Sequence, residues 1–271
     1  MVLGVSCWSE KMVLVSIAPY KDFVERIAGD KVHVLVVVPE GRSPHTYEPT
    51  ARQVLATAEA DLWFTIGESF EGKVAAALRS HRSDLELIDL REGIELITDE
   101  GHCHCVSDRS CSCADLHVWL SPPLVKEQAM TIAQALLRRY PEFEDYFLLR
   151  LEGFHSDLDR LHEDLLHMLQ PLEQRKLVIS HPAYRYFCRE YGLEQIPVEQ
   201  DGKPPSPRRL DELLKELREL SVSRFFAVRQ HSDRAIRLLA KQMNAKIVIL
   251  DPLAEDYFNN MRETGKRISG E

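Results

Sequence analysis

The chain predicts an α/β architecture of two lobes, each with a mostly parallel sheet flanked by helices, joined by one long spine helix. Short Val- and Ile-rich runs alternate with helical patterns along most of the 271 residues, the signature of parallel sheets covered on both faces. The alternation breaks once, over 142–170, where a proline-free stretch repeats its apolar residues in steps of four and three, a sustained helical seam. Beyond it the alternation restarts. These breaks divide the chain into an N-terminal lobe over 11–140, a linking helix over 141–170 and a C-terminal lobe over 171–271. A chain of this length suits one large domain or two medium lobes and can bury a substantial core.

In the first lobe, 12–18 and 32–38 are continuous apolar runs suited to buried strands, and 62–66 and 85–90 continue the series. Residues 50–60 and 70–81 read as helices; in the second, Phe70, Val74, Ala77 and Leu78 make an apolar stripe. Residues 122–140 form another, with Val125, Ala129, Ile132 and Leu136 on one face. The seam that follows carries Phe147, Leu151, Phe154, Leu158, Leu161, Leu165 and Met168. As one helix it extends about 40 Å, long enough to act as a spine packed across both halves rather than as a dimeric coiled coil. His155, His162 and His167 lack the i, i+4 spacing of a helical ligand pair and read as solvated or incidental.

The second lobe opens with a strand at 177–180 and a helix at 184–191 stopped by Gly192. Tyr184, Phe187, Cys188 and Tyr191 share a face of that helix, so Cys188 reads as a packing residue. A strand at 196–198 precedes a helix opened by Ser206 as N-cap and Pro207 at N1. Strands at 225–228 and 247–250 flank a helix at 233–243 capped by Ser232, and a helix at 257–266 closes the chain.

The formal net charge of −9 argues against nucleic acid as the principal partner and against a polybasic membrane patch. No apolar run reaches the roughly 18 residues that span a bilayer. The apolar stub 1–7 reads either as the tail of a secretion signal, making Cys7 a candidate lipid attachment site, or as a frayed end. Four of the six cysteines, Cys103, Cys105, Cys111 and Cys113, form two C-x-C pairs interleaved with His102 and His104. Reduced, they suit a soft metal; in an oxidising compartment they become disulfides.

Four residues stand out as candidate metal ligands: His45, His117, His181 and Asp251, at intervals of 72, 64 and 70 residues. Each lies at or just after an apolar run and beside a proline turn. Taken singly, each has an ordinary alternative as a surface or satisfied core residue. In open parallel sheets, however, ligands bind beyond the carboxyl ends of the strands. His181 directly follows Leu177-Val-Ile-Ser180, Asp251 directly follows Ile247-Val-Ile-Leu250, and His45 stands seven residues past Val38. Side chains from strand ends in two lobes would meet in the cleft between them. Three neutral imidazoles suit zinc, and adding a carboxylate makes manganese or iron(II) acceptable.

The segments Ser43-Pro-His-Thr-Tyr-Glu-Pro49, Leu116-His-Val-Trp-Leu-Ser-Pro122, Ser180-His-Pro-Ala-Tyr184 and Leu250-Asp-Pro-Leu253 resemble the metal-site motifs of the solute-binding proteins of bacterial zinc and manganese ABC importers. The resemblance runs from about Val13 to the C-terminus, with all four motifs in order. It implies two α/β lobes linked by a rigid helix, a metal held between them by His45, His117, His181 and Asp251, and delivery to a membrane permease. It further implies a monomer in the periplasm or another extracytoplasmic space, with Zn2+ as cargo and Mn2+ or Fe2+ as alternatives. The cysteine segment lies where zinc-selective members often carry a metal-capture loop.

Two departures stand out. The family's Phe-x-Glu-x-Gln run usually carries a glutamate, whose place Arg229 takes in Phe226-Ala-Val-Arg-Gln230, and Ser121 replaces a frequent aspartate. The competing reading is a metal-dependent hydrolase, which needs an open coordination position and an acid or base in reach. Glu48, Glu199 and Asp201 are the acids in matching segments, but no H-E-x-x-H pair is present.

Overall fold

The computed structural model describes residues 11–98, 114–199, 204–220 and 222–270. Within them, β1 (Met12–Val15), β2 (His33–Val36), β3 (Leu62–Thr65) and β4 (Glu86–Asp89) form one parallel sheet in the order β2-β1-β3-β4. A second sheet joins β5 (Lys176–Ile179), β6 (Glu194–Pro197), β7 (Arg224–Val228) and β8 (Lys246–Leu250) in the order β6-β5-β7-β8. The two orders are the same. In each sheet the chain winds to one side of its first strand and then to the other, which opens a crevice at the carboxyl ends of the two central strands. Val13, Leu14 and Val15 are fully buried, as an unbroken apolar strand covered on both faces requires.

The helices largely follow the sequence expectations, with three corrections. The run at 12–18 is a strand only to Val15; helix α1 (Ala18–Ala28) starts almost at once, with Pro19 in its first turn and Tyr20, Phe23, Val24 and Ile27 buried. Those four positions are one face of a helical repeat that the preceding apolar run obscured. The helix expected over 50–60 is only α2 (Ala51–Leu55), closed at its start by a Thr50–Gln53 capping box and burying no residue. With too few apolar side chains to form a stripe, it unwinds into turns. Helices α3 (Ser69–His81), α4 (Pro122–Arg139), α5 (Glu144–Leu169), α6 (Arg185–Glu190) and α7 (Pro207–Glu219) follow, the last with Ser206 Oγ accepting from Arg209 N as its cap. Helix α8 (Arg234–Met243) takes Asp233, not Ser232, as its N-cap, and α9 (Tyr257–Ser269) ends the chain.

Helix α5 is the spine. It spans 26 residues, or about 39 Å at 1.5 Å per residue, and buries Phe147, Leu151, Phe154, Leu158, Leu161, Leu165 and Leu169. These belong to one continuous apolar cluster that reaches Leu14 and Trp63 on one side and Leu177, Ile179 and Met261 on the other. The Phe154 ring lies 5.7 Å from Phe23 of α1 and 6.0 Å from Phe258 of α9. Gly265 lets α9 sit this close to α5: a Cβ there would stand 2.7 Å from Leu165 Cδ2. Of the spine histidines, His167 is exposed, but His155 and His162 are half-buried, and His162 Nδ1 lies 3.3 Å from the Tyr191 hydroxyl.

Polar contacts between the lobes accompany this packing. Trp119 Nε1 donates to Pro252 O at 2.7 Å, and Ser121 Oγ lies 3.2 Å from Glu190 Oε2. The Tyr186 hydroxyl accepts from Ile97 N and donates to Asp115 O, each at 2.9 Å. Among the described residues no helix is long and apolar enough to cross a membrane.

Candidate metal centre

His45 stands on the one-turn 3-10 helix Pro44–Thr46 that ends the loop after β2. His117 precedes the turn Val118–Leu120, with its ring 5.3 Å from the buried Trp119. His181 lies two residues past the end of β5, where Ser180 Oγ accepts from Val228 N at 2.9 Å. The structure brings all three imidazoles together. Ring centroids are 5.2 Å apart for His45–His117, 5.2 Å for His45–His181 and 5.4 Å for His117–His181. The Nε2 atoms of His45 and His117 are separated by 3.4 Å. Two nitrogens bound tetrahedrally to one zinc at about 2.0–2.1 Å stand about 3.4 Å apart.

Each imidazole has a carboxylate beside its other nitrogen, hydrogen-bonded in His117 and His181 and at ion-pair distance in His45. Nδ1 lies 2.9 Å from Glu68 Oε1 in His45, 2.8 Å from Asp115 Oδ1 in His117, and 2.8 Å from Glu199 Oε2 in His181. A carboxylate at Nδ1 fixes the proton there and turns the Nε2 lone pair outward, the arrangement that orients histidine ligands at metal sites. His181 Nε2 is buried and has no hydrogen-bond partner. An unpaired acceptor in such a place is costly unless something arrives to use it. Burial pushes His181 down to about 4, with the neighbouring imidazoles adding to the effect and Glu199 opposing it. In His45, burial works the same way but is outweighed by Glu68, and its pKa is raised. Three largely buried carboxylates around a knot of imidazoles favour a dication.

Glu68 owes its place to the end of β3. Gly67 adopts φ +90, and a Cβ there would run into the Arg91 guanidinium. Glu71 accepts from Ile66 N at 2.9 Å and Gly67 N at 2.8 Å, pinning that turn.

Asp251 sits at the carboxyl end of β8, and its carboxylate has partners from neighbouring stretches of the chain. Oδ1 accepts from Gln230 Nε2 at 2.6 Å and Leu253 N at 3.0 Å, and Oδ2 pairs with Arg229 Nε at 3.2 Å. Counted from its phenylalanine, the run Phe226-Ala-Val-Arg-Gln230 sets the buried Val228, not Arg229, at the position of the motif's glutamate. Arg229 is the next residue, and its charge meets Asp251.

Sequence reasoning assigned no role to Glu68, Asp115 or His231. Asp115 is two residues before His117, and Glu68 follows β3 as His181 follows β5, so position was the available signal. His231 lies beyond the end of β7 and stacks on His181, with centroids 3.5 Å apart and planes at 13°. Among the described residues, the ligand atoms of His45, His181 and His231 all fall within 4.8 Å of one another. Glu48 is exposed and 3.9 Å from Lys73, away from the imidazole carboxylates. Cys188 is buried, its thiol pushed up to about 12 by burial, which makes it an inert packing residue. Cys7, Asp201 and the group Cys103, Cys105, Cys111 and Cys113, with His102 and His104, lie outside the described residues.

A family model described as zinc-uptake complex component A, periplasmic (ZnuA) matches residues 13–270. A protein of Chlamydia trachomatis serovar D, provisionally named as metal-binding, is 32% identical over 266 residues, covering 96% of this chain and 93% of its own. A crystal structure of ZnuA is 37% identical, with a TM-score of 0.89 over 96% of this chain and 98% of that one. A zinc-bound ZnuA deletion mutant is also 37% identical, with a TM-score of 0.87 over 96% and 97%.

Proposed function

Because the chain belongs to the family of periplasmic zinc-uptake component A proteins, we propose that it captures a divalent transition metal outside the cytoplasmic membrane and hands it to an ABC-type importer permease. The observation that carries this reading is the meeting of three imidazoles from both lobes, each with a carboxylate on Nδ1 and Nε2 left for a ligand. The proposed shell is His45, His117 and His181, with Asp251 as the carboxylate the motifs imply. Zinc is the proposed cargo, since imidazole donors suit it and affinity at a given nitrogen site exceeds that for manganese; Mn2+ and Fe2+ are the alternatives. Anchoring through Cys7 is a separate part of the proposal.

The role is binding and delivery, not catalysis. The family is one of solute-binding proteins, and Glu68, Asp115 and Glu199 are committed to orienting imidazoles rather than to activating water. Elemental analysis of protein purified without added metal, followed by competition titration, tests the proposal. His117→Ala, and likewise His45→Ala or His181→Ala, should weaken binding by several orders of magnitude with the fold retained. Stoichiometric, tight binding preserved in all three variants would defeat the reading.

A further inference from the structure

Among the described residues, His231 brings to the centre an imidazole that the motif-based shell leaves unused. We propose that His231 enters the shell as a fourth imidazole on metal loading, at the position the motifs imply for Asp251, and sets this centre's preference for zinc over manganese. The inference rests on the reading that the centre binds a metal.

Four observations converge on it. The ligand atoms of His45, His181 and His231 lie within 4.8 Å of one another, and the His231 ring centroid is 5.9 Å from that of His45. Glu199 Oε2 faces both stacked rings, 2.8 Å from His181 Nδ1 and 3.8 Å from His231 Nδ1. That carboxylate hydrogen-bonds to His181 and leaves its Nε2 as the nitrogen offered, while His231 Nδ1 at 3.8 Å lies beyond hydrogen-bond reach and its ring is not pinned by Glu199. The carboxylate that would compete for the fourth position has partners of its own: Asp251 meets Arg229, Gln230 and the Leu253 amide. Finally, His231 lies on the turn between β7 and α8 with its side chain 15% exposed, so its ring is less confined than that of His181.

The stack itself constrains how this works. Imidazole binds a metal in the plane of its ring, and two parallel rings 3.5 Å apart cannot aim both lone pairs at one ion. Loading therefore has to splay His231 off the face of His181. A fourth nitrogen in place of an oxygen favours zinc, because imidazole suits zinc while carboxylate and water suit manganese.

The test compares metal-free wild type with His231→Phe, His231→Gln, Asp251→Asn, His45→Ala, His117→Ala and His181→Ala. His231→Phe removes the nitrogen but keeps an aromatic ring on His181. Each protein is titrated with Zn2+ and Mn2+ in competition, and with Co2+ to read the ligand field by visible absorption. Both His231 variants should lose zinc affinity by more than the roughly 10–100-fold that outer-shell changes cause, with a much smaller change for manganese. Their Co2+ spectra should shift, and Asp251→Asn should spare zinc binding. A wild-type zinc-to-manganese ratio in both His231 variants, with binding lost in Asp251→Asn, overturns the inference and leaves the three-histidine, one-carboxylate shell standing. Tight zinc binding kept in His117→Ala, His45→Ala and His181→Ala alike would instead remove the underlying reading, and the inference with it.

Discussion

Replacing Asp115 with alanine isolates the contribution of the carboxylates behind the ligands. One oxygen, Asp115 Oδ1, accepts from the His117 backbone N–H at 2.9 Å and lies 2.8 Å from its Nδ1. It therefore fixes the main chain, the tautomer and the ring direction together. The side chain is 5% exposed, so water cannot readily take over. Losing such a partner lowers metal affinity by about 10–100-fold, which is about 1.4–2.7 kcal/mol at 25 °C. The alanine variant also leaves a buried N–H without an acceptor, a cost of about 1–3 kcal/mol to the metal-free fold. Asp115→Asn keeps an acceptor oxygen without the charge, and should recover part of both losses. Zinc affinity is measured by competition against a chromophoric chelator, and stability by urea denaturation of the metal-free protein. Wild-type affinity and stability in Asp115→Ala would refute the idea that this carboxylate positions His117.

Phe154→Ala removes the ring between α1, α5 and α9 and should cost about 3–5 kcal/mol, read as a lower thermal midpoint; a midpoint within a degree of wild type would contradict the spine role. Trp119→Phe deletes the bond to Pro252 O while keeping most of the volume, and should cost about 1 kcal/mol in denaturant titrations; an unchanged midpoint would show that this bond does not help hold the lobes. Burial holds His181 at about 4 and His231 at about 3, against an ordinary value of 6.5. Between those limits the unfolded chain binds more protons than the folded one, so the metal-free protein should lose stability as pH falls from 6.5 towards 4. The slope is up to about 1.4 kcal/mol per pH unit for each group. His45, with its pKa raised, contributes the opposite way, adding stability at low pH that is lost as pH rises. Urea midpoints that stay flat from pH 7 to 4.5 would count against neutral, buried imidazoles. Deleting 103–113 should leave zinc affinity at the centre intact, and its loss on titration would make that segment part of the primary site.

The eight strands among the described residues and the spine were legible because their causes are local. A Val-rich run buried on both faces and an apolar stripe in steps of three and four announce themselves within a dozen residues. Helix α1 was hidden because its apolar face begins where the apolar strand ends, so the two periods run together at Ser16–Pro19. Helix α2 was overextended because an alanine-rich stretch has helical propensity whether or not it has anything to bury. His45, His117 and His181 were found from strand-end position and motif, both of which are properties of short segments.

Sequence alone determined the class of elements, their order, the presence of a long spine and three imidazoles for the centre, since each follows from residues near one another in the chain. Only the tertiary structure decided what those imidazoles touch. Glu68, Asp115 and Glu199 come to Nδ1 atoms from three different strand ends and linkers, Arg229 draws in the Asp251 carboxylate, and His231 comes to rest on His181, 50 residues away. The reason is physical: which way a side chain points depends on where two sheets and a helix dock, and that docking is set by the packing of the whole core rather than by any local period.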